Sequence, residues 1–168
     1  MSYDLTVFDP SSAPRDPADF GDWLFSDENS IGEVFNDPSS TIVELRAFYL
    51  AMVQKFPDYN EDSFDPNLAT DYATGYEIGP KSIVMEFRWT KAEEAYETVR
   101  ALSVEHGVGF FDQSGDGSVQ FPGDELQPPS QGVWRKVAAD FQSGDLSKYT
   151  EAPEPPKRRW FDFFRRNK

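Results

Sequence analysis

The chain has 168 residues, 38% of them hydrophobic and 15% aromatic, with 30 Asp and Glu against 16 Lys and Arg and a formal net charge of -14. That length suits one ordinary domain with a real core, and the aromatic content argues against wholesale disorder. With no cysteine and a single histidine, His106, the chain holds no disulfide, thiol nucleophile, Cys-ligated metal or multi-histidine centre of its own, and its acidity opposes nucleic-acid phosphate.

Tyr3, Leu5 and Val7 alternate with Asp4, Thr6 and Phe8, which predicts a short strand ended by Asp9-Pro10. Ser11 to Asp19 reads as a turn, after which Phe20, Trp23 and Leu24 form a small apolar patch at helical spacing. Asn29 to Ser40 is again polar and turn-forming. Thr41 with Glu44 three residues on is a capping-box pattern, and Ile42, Leu45, Phe48, Tyr49, Met52 and Phe56 mark a helix face ending before Pro57.

Residues 57–66 form an acidic loop in which Asp58, Glu61, Asp62 and Asp65 are candidate contacts for a basic partner. Tyr72 to Ile78 and Ser82 to Trp89 predict two strands joined at Gly79-Pro80. A second capping-box pattern, Thr90 with Glu93, precedes Ala92, Ala95, Tyr96, Val99, Leu102 and His106 at helical spacing, and Gly107 stops that helix. Val108 to Phe111 completes a β-α-β-β-α-β order, which predicts an α+β, ferredoxin-like core: an antiparallel sheet with two helices on one face and an extra helix after the first strand. Further on, Ser118 to Phe121 predicts an edge strand and Gln131 to Phe141 a last helix. Residues 1–143 are therefore expected to be one domain, 144–156 a Pro-rich linker and 157–168 a flexible basic, aromatic tail.

The tail reverses the character of the chain. Residues 157–168 carry six Lys or Arg against one Asp, whereas the preceding 156 carry ten against 29 Asp and Glu. Arg158, Arg159, Arg165 and Arg166 surround Trp160, Phe161, Phe163 and Phe164, a composition for meeting an anionic lipid surface, docking on a protein partner, or folding back on the acidic body.

Other motifs are weaker. Asp112-Gln113-Ser114-Gly115-Asp116-Gly117 opens like a calcium loop, but Gly123 stands where a bidentate Glu is required, so a glycine-rich connection is the preferred reading. His106 with Glu105 beside it offers a general base without a visible oxyanion partner, and its place before Gly107 suits the negative end of a helix. No P-loop or dinucleotide glycine pattern occurs. No catalytic residue, metal or cofactor is assigned.

The segments Ser2-Tyr3-Asp4-Leu5, Asp71-Tyr72-Ala73 and His106 to Asp112 resemble a group of small bacterial proteins, some of which are similar to immunity proteins that neutralise toxins. The resemblance covers residues 2–112 and implies no catalytic residue. The expectation is a non-catalytic, cytoplasmic, acidic module that binds a protein partner, with a peripheral membrane protein at the inner membrane face and a small carboxylate-based hydrolase as alternatives. Oligomeric state is left open.

Overall fold

The computed structural model describes residues 2–26, 37–60, 64, 71–115 and 117–124. Its five strands are β1 (Tyr3–Phe8), β2 (Gly75–Ile78), β3 (Ser82–Phe87), β4 (Gly109–Phe111) and β5 (Val119–Gln120). They form one open sheet in the order β2-β3-β1-β4-β5, and every neighbouring pair is antiparallel. Among the described residues three α-helices accompany it: α1 (Pro17–Leu24), α2 (Val43–Met52) and α3 (Ala92–His106). The α+β class and the antiparallel sheet expected from the sequence are therefore present.

Strand alternation divides the core in two. Tyr3, Leu5 and Val7 of β1 point with Tyr76, Ile78, Ile83, Met85, Phe87 and Phe110 to the side covered by α2 and α3. Leu45, Phe48, Tyr49 and Met52 from α2, and Ala92, Ala95, Tyr96 and Val99 from α3, close that core. Edge-to-face ring pairs fix the helices on the strands, Tyr49 with Tyr76 at 5.2 Å and Tyr96 with Phe110 at 5.4 Å, each contributing about 1 kcal/mol beyond simple burial. The opposite side of β1 sends Phe8 into a second, smaller cluster with Phe20 and Leu24 of α1 and with Phe121. Thus the inserted helix lies across the sheet from the other two.

Several boundaries differ from expectation. Helix α2 ends at Met52, and Phe56 completes its face from the following turn, where its N–H reaches the Met52 carbonyl at 2.9 Å. Neither capping box forms. The Thr41 hydroxyl donates to the Pro80 carbonyl at 3.2 Å, across the chain, and Ile42 is the N-cap of α2 without a side-chain bond. Ahead of α3, Trp89–Lys91 wind into a 3-10 turn, so the helix starts from Lys91 and the Thr90 hydroxyl has no N-cap role. Gly107 does terminate α3 in the left-handed region, at φ 68°, as its position predicts. The expected helix over Gln131 to Phe141, the linker and the tail lie outside the described residues.

Candidate functional site

The acidic loop is split by the structure. Asp58 is 4% exposed; its carboxylate accepts from the buried Tyr49 hydroxyl at 3.1 Å and from the Asn60 N–H at 2.8 Å. The structure corrects Asp58 from a surface contact to an internal anchor, because a buried carboxylate is retained only where donors replace its water. Around it, Tyr59 N–H bonds the Thr74 carbonyl at 3.1 Å, Thr74 N–H bonds that of Pro57 at 3.0 Å, and the Asn60 amide covers the outward carbonyl of Tyr76 at 3.2 Å. Residues 57–60 thereby shield the exposed edge of β2. Glu61, Asp62 and Asp65, and all of Arg158, Arg159, Trp160, Phe161, Phe163, Phe164, Arg165 and Arg166, lie outside the described residues.

The calcium-like loop is a structural turn. Asp112, 1% exposed, accepts from the Gly115 N–H at 2.9 Å and from the Tyr3 hydroxyl at 3.2 Å. The Ser114 hydroxyl oxygen accepts from Asp4 N–H at 2.9 Å, and the Gln113 amide oxygen from the Thr6 hydroxyl at the same distance. The described oxygens of Asp112, Gln113 and Ser114 thus serve to close the loop and to tie it to β1. Among the described residues no group of three or more His, Asp or Glu is arranged to hold a metal ion. His106 packs edge-on to Phe48 at 6.4 Å, and its Nε2 is buried with no hydrogen-bond partner among the described residues, which is the setting of a packing residue and supplies no described orienting group for a general base.

A shallow hollow of about 200 Å³ lies over α1 and β5, lined by Arg15, Phe20, Val119, Phe121 and Asp124. Its polar groups satisfy one another: Arg15 pairs with Asp124 at 3.0 Å and stacks 4.3 Å from the Phe121 ring centre. The Phe121 N–H, then the Arg15 guanidinium, hold the Asp124 carboxyl below the ordinary carboxylate range. A second self-contained group surrounds Glu94, which accepts from Lys55, Tyr72 and Lys91 at 3.0, 3.0 and 3.5 Å. Neither arrangement presents the paired, separately tuned carboxylates that hydrolysis would require.

A further group of acids gathers on the sheet. On the side away from α2 and α3, register sets Asp4 opposite Glu86, Glu86 opposite Gly75, and Glu77 opposite Val84. Glu77 and Glu86 are therefore diagonal neighbours on adjacent strands, close enough to repel. No described ion pair reaches either of them. Glu77 is exposed as a residue, yet partial loss of water, then the charges of Glu86 and Asp4, push its carboxyl above the ordinary glutamate range. The Tyr59 hydroxyl donates to Glu86 at 3.3 Å and its ring stands over Gly75, so the patch joins carboxylates, an aromatic ring 44% exposed and the half-buried Val84. In the sequence each acid is merely the outward member of an alternating strand; only the pairing register assembles them.

Comparison with protein-family models, with curated proteins and with solved structures finds no match for this chain.

Proposed function

We propose that this chain is a non-catalytic, acidic protein-binding module with a ferredoxin-like core, which recognises a basic protein partner as an immunity protein recognises a toxin domain. The ferredoxin-like reading is supported by the β2-β3-β1-β4 order, all antiparallel, with both α2 and α3 on one face and β5 as an added edge strand. The recognition reading rests on one observation: Glu77 and Glu86 stand side by side on the sheet face opposite α2 and α3 without a described cationic partner. Like charges held at that spacing cost stability in the free protein and gain most when a cation arrives, and they accelerate encounter with a basic surface. No described helix is long and apolar enough to cross a membrane.

The test is capture of a partner from native extract by the full chain and by Glu77→Lys/Glu86→Lys, at low and at moderate salt. Binding of one stoichiometric basic protein that weakens with salt and is lost on charge reversal supports the reading. Binding indifferent to both changes removes the sheet face from recognition. The alternative of attachment to an anionic membrane is supported only by the composition of residues 157–168, and predicts recovery on phosphatidylserine vesicles that depends on Trp160, Phe163 and Phe164.

A further inference from the structure

We propose that the β2–β3 part of the sheet face opposite α2 and α3 is the docking surface for this chain's own basic, aromatic segment, residues 157–168, which lies over Glu77, Val84 and Glu86 until a partner displaces it. The inference deepens the reading of that face as a surface for cations.

Four observations select this occupant. The first is the character of the patch: two carboxylates flank the half-buried Val84, and the partly exposed Tyr59 ring stands at the β2 edge. Such a surface fits a ligand that is both cationic and aromatic, since rings cover the apolar strip while guanidinium groups meet the acids. The segment 157–168 supplies four aromatic residues and six of the chain's 16 Lys and Arg.

The second is that, although the Tyr59 ring stands over Gly75 and its hydroxyl bonds Glu86, Glu77 beside them is left exposed and Val84 half-buried. The small cluster beneath α1 draws on Phe8, Phe20, Leu24, Phe111, Val119 and Phe121, and none of its members belongs to β2 or β3.

The third is where the chain goes. It leaves the described body at Asp124, just after Phe121, whose ring packs against Phe8 at 5.2 Å on the same side of β1 as Asp4 and Thr6. The segment need not pass around a sheet edge. From β5 to β2 is four strand spacings, about 19 Å. Residues 125–156 lie between, and even at the 1.5 Å per residue of a helix a stretch of that length reaches about 48 Å, more than the span required.

The fourth is exclusion of a second copy. Residues 1–156 carry 29 acids against ten Lys and Arg, so stacking two such faces would oppose carboxylate to carboxylate.

The absence of cysteine allows a clean test on the full chain. Asp162→Cys carries a nitroxide label, and paramagnetic broadening of backbone amides is read by NMR. The expected result is at least a twofold loss of intensity at Glu77, Val84 and Glu86, with the outer helix positions Val43, Leu50 and Val104 unaffected. Broadening should vanish at about 0.5 M salt, where the Debye length is about 4 Å, in Glu77→Lys/Glu86→Lys, and in Arg158→Ser/Arg159→Ser/Arg165→Ser/Arg166→Ser, which leaves the body intact. Mixing spin-labelled, isotopically unlabelled chains with unlabelled-spin, isotopically enriched chains should give none. Unbroadened β2 and β3 amides, broadening that survives tail neutralisation, or broadening confined to the mixed sample would each overturn the proposal. Partner capture that depends on Glu77 and Glu86, found together with unbroadened amides, would leave the recognition reading standing and remove only the contact within the chain.

Discussion

The ring of Phe8 stands over Gly109, its direct partner across the β1–β4 register, and fills the space a side chain at 109 would need. The same ring meets Phe20 at 5.0 Å, Phe121 at 5.2 Å and Trp23 at 6.0 Å, so the glycine supports the whole smaller core. Gly109→Ala should cost about 2–4 kcal/mol in urea unfolding, because the ring can move only by disturbing its neighbours. Gly107→Ala, which meets no atom but must keep a left-handed backbone at φ 68°, should cost only about 1 kcal/mol. Equal losses at the two sites would contradict this account of Phe8.

Tyr76 is fully buried, and its hydroxyl donates to the Phe56 carbonyl at 2.7 Å. Tyr76→Phe leaves that buried carbonyl without its donor and should destabilise by about 1–3 kcal/mol. Burial, then the nearby Asp58 charge, raises the phenol far above the ordinary tyrosine value of 10.0. The folded state consequently holds this proton while the unfolded state releases it, so stability is complete below pH about 10 and falls as pH rises beyond it. In Tyr76→Phe the alkaline decline should be shallower, as measured by unfolding free energy across pH 8 to 11.

Glu77 gives a pH dependence in the acid range. Its folded carboxyl titrates above the ordinary glutamate value of 4.5, chiefly through loss of water and then through Glu86 and Asp4. The folded state therefore binds more protons between those two values, and this contribution is complete below the unfolded pKa and is lost as pH rises through the folded one. With the tail's charge removed (Arg158→Ser/Arg159→Ser/Arg165→Ser/Arg166→Ser) the charged group is a penalty at neutral pH, so adding Glu77→Gln should stabilise by a few tenths of a kcal/mol (~0.3–0.5), a small effect because solvent and salt screen an exposed residue. A drop in melting temperature at pH 7 in that background would count against repulsion between Glu77 and Glu86.

Asp112 accepts from the Tyr3 hydroxyl and the Gly115 N–H in a site that excludes water. Asp112→Ala should cost about 2–4 kcal/mol by stranding the Tyr3 hydroxyl and the Gly115 N–H. Millimolar calcium should leave the melting temperature of the unaltered protein unchanged, since the Gln113 and Ser114 oxygens already bond β1. A calcium-dependent rise would restore the cation-loop reading.

Strand alternation made β1 and β3 legible, and the 3.6-residue spacing of Leu45, Phe48, Tyr49 and Met52 did the same for α2, since in each the apolar set faces one dense core. The capping boxes were misleading because a Thr-x-x-Glu pattern records only local chemistry. Thr41 found a better acceptor in Pro80, 39 residues away. Asp58 looked like one more surface acid; what buried it was Tyr49, a partner visible only once the helix and loop met. The sheet-face acids were invisible as a group for the same reason, because Asp4, Glu77 and Glu86 are spread over more than eighty positions and join only through the β1–β3 and β2–β3 registers.

The central place of β1 has a consequence for synthesis. It is made before the other four described strands, yet both of its neighbours, β3 and β4, come more than seventy positions later. At about 5–20 residues per second on the ribosome, the edge-bonding groups of Tyr3 to Phe8 wait for several seconds or longer before either side can be satisfied. During that interval a six-residue strand containing Leu5, Val7 and Phe8 is an open invitation to a neighbouring nascent chain. Asp4 and Asp9, charged and close to the strand's two ends, are the residues that make such a meeting less favourable on a crowded polysome.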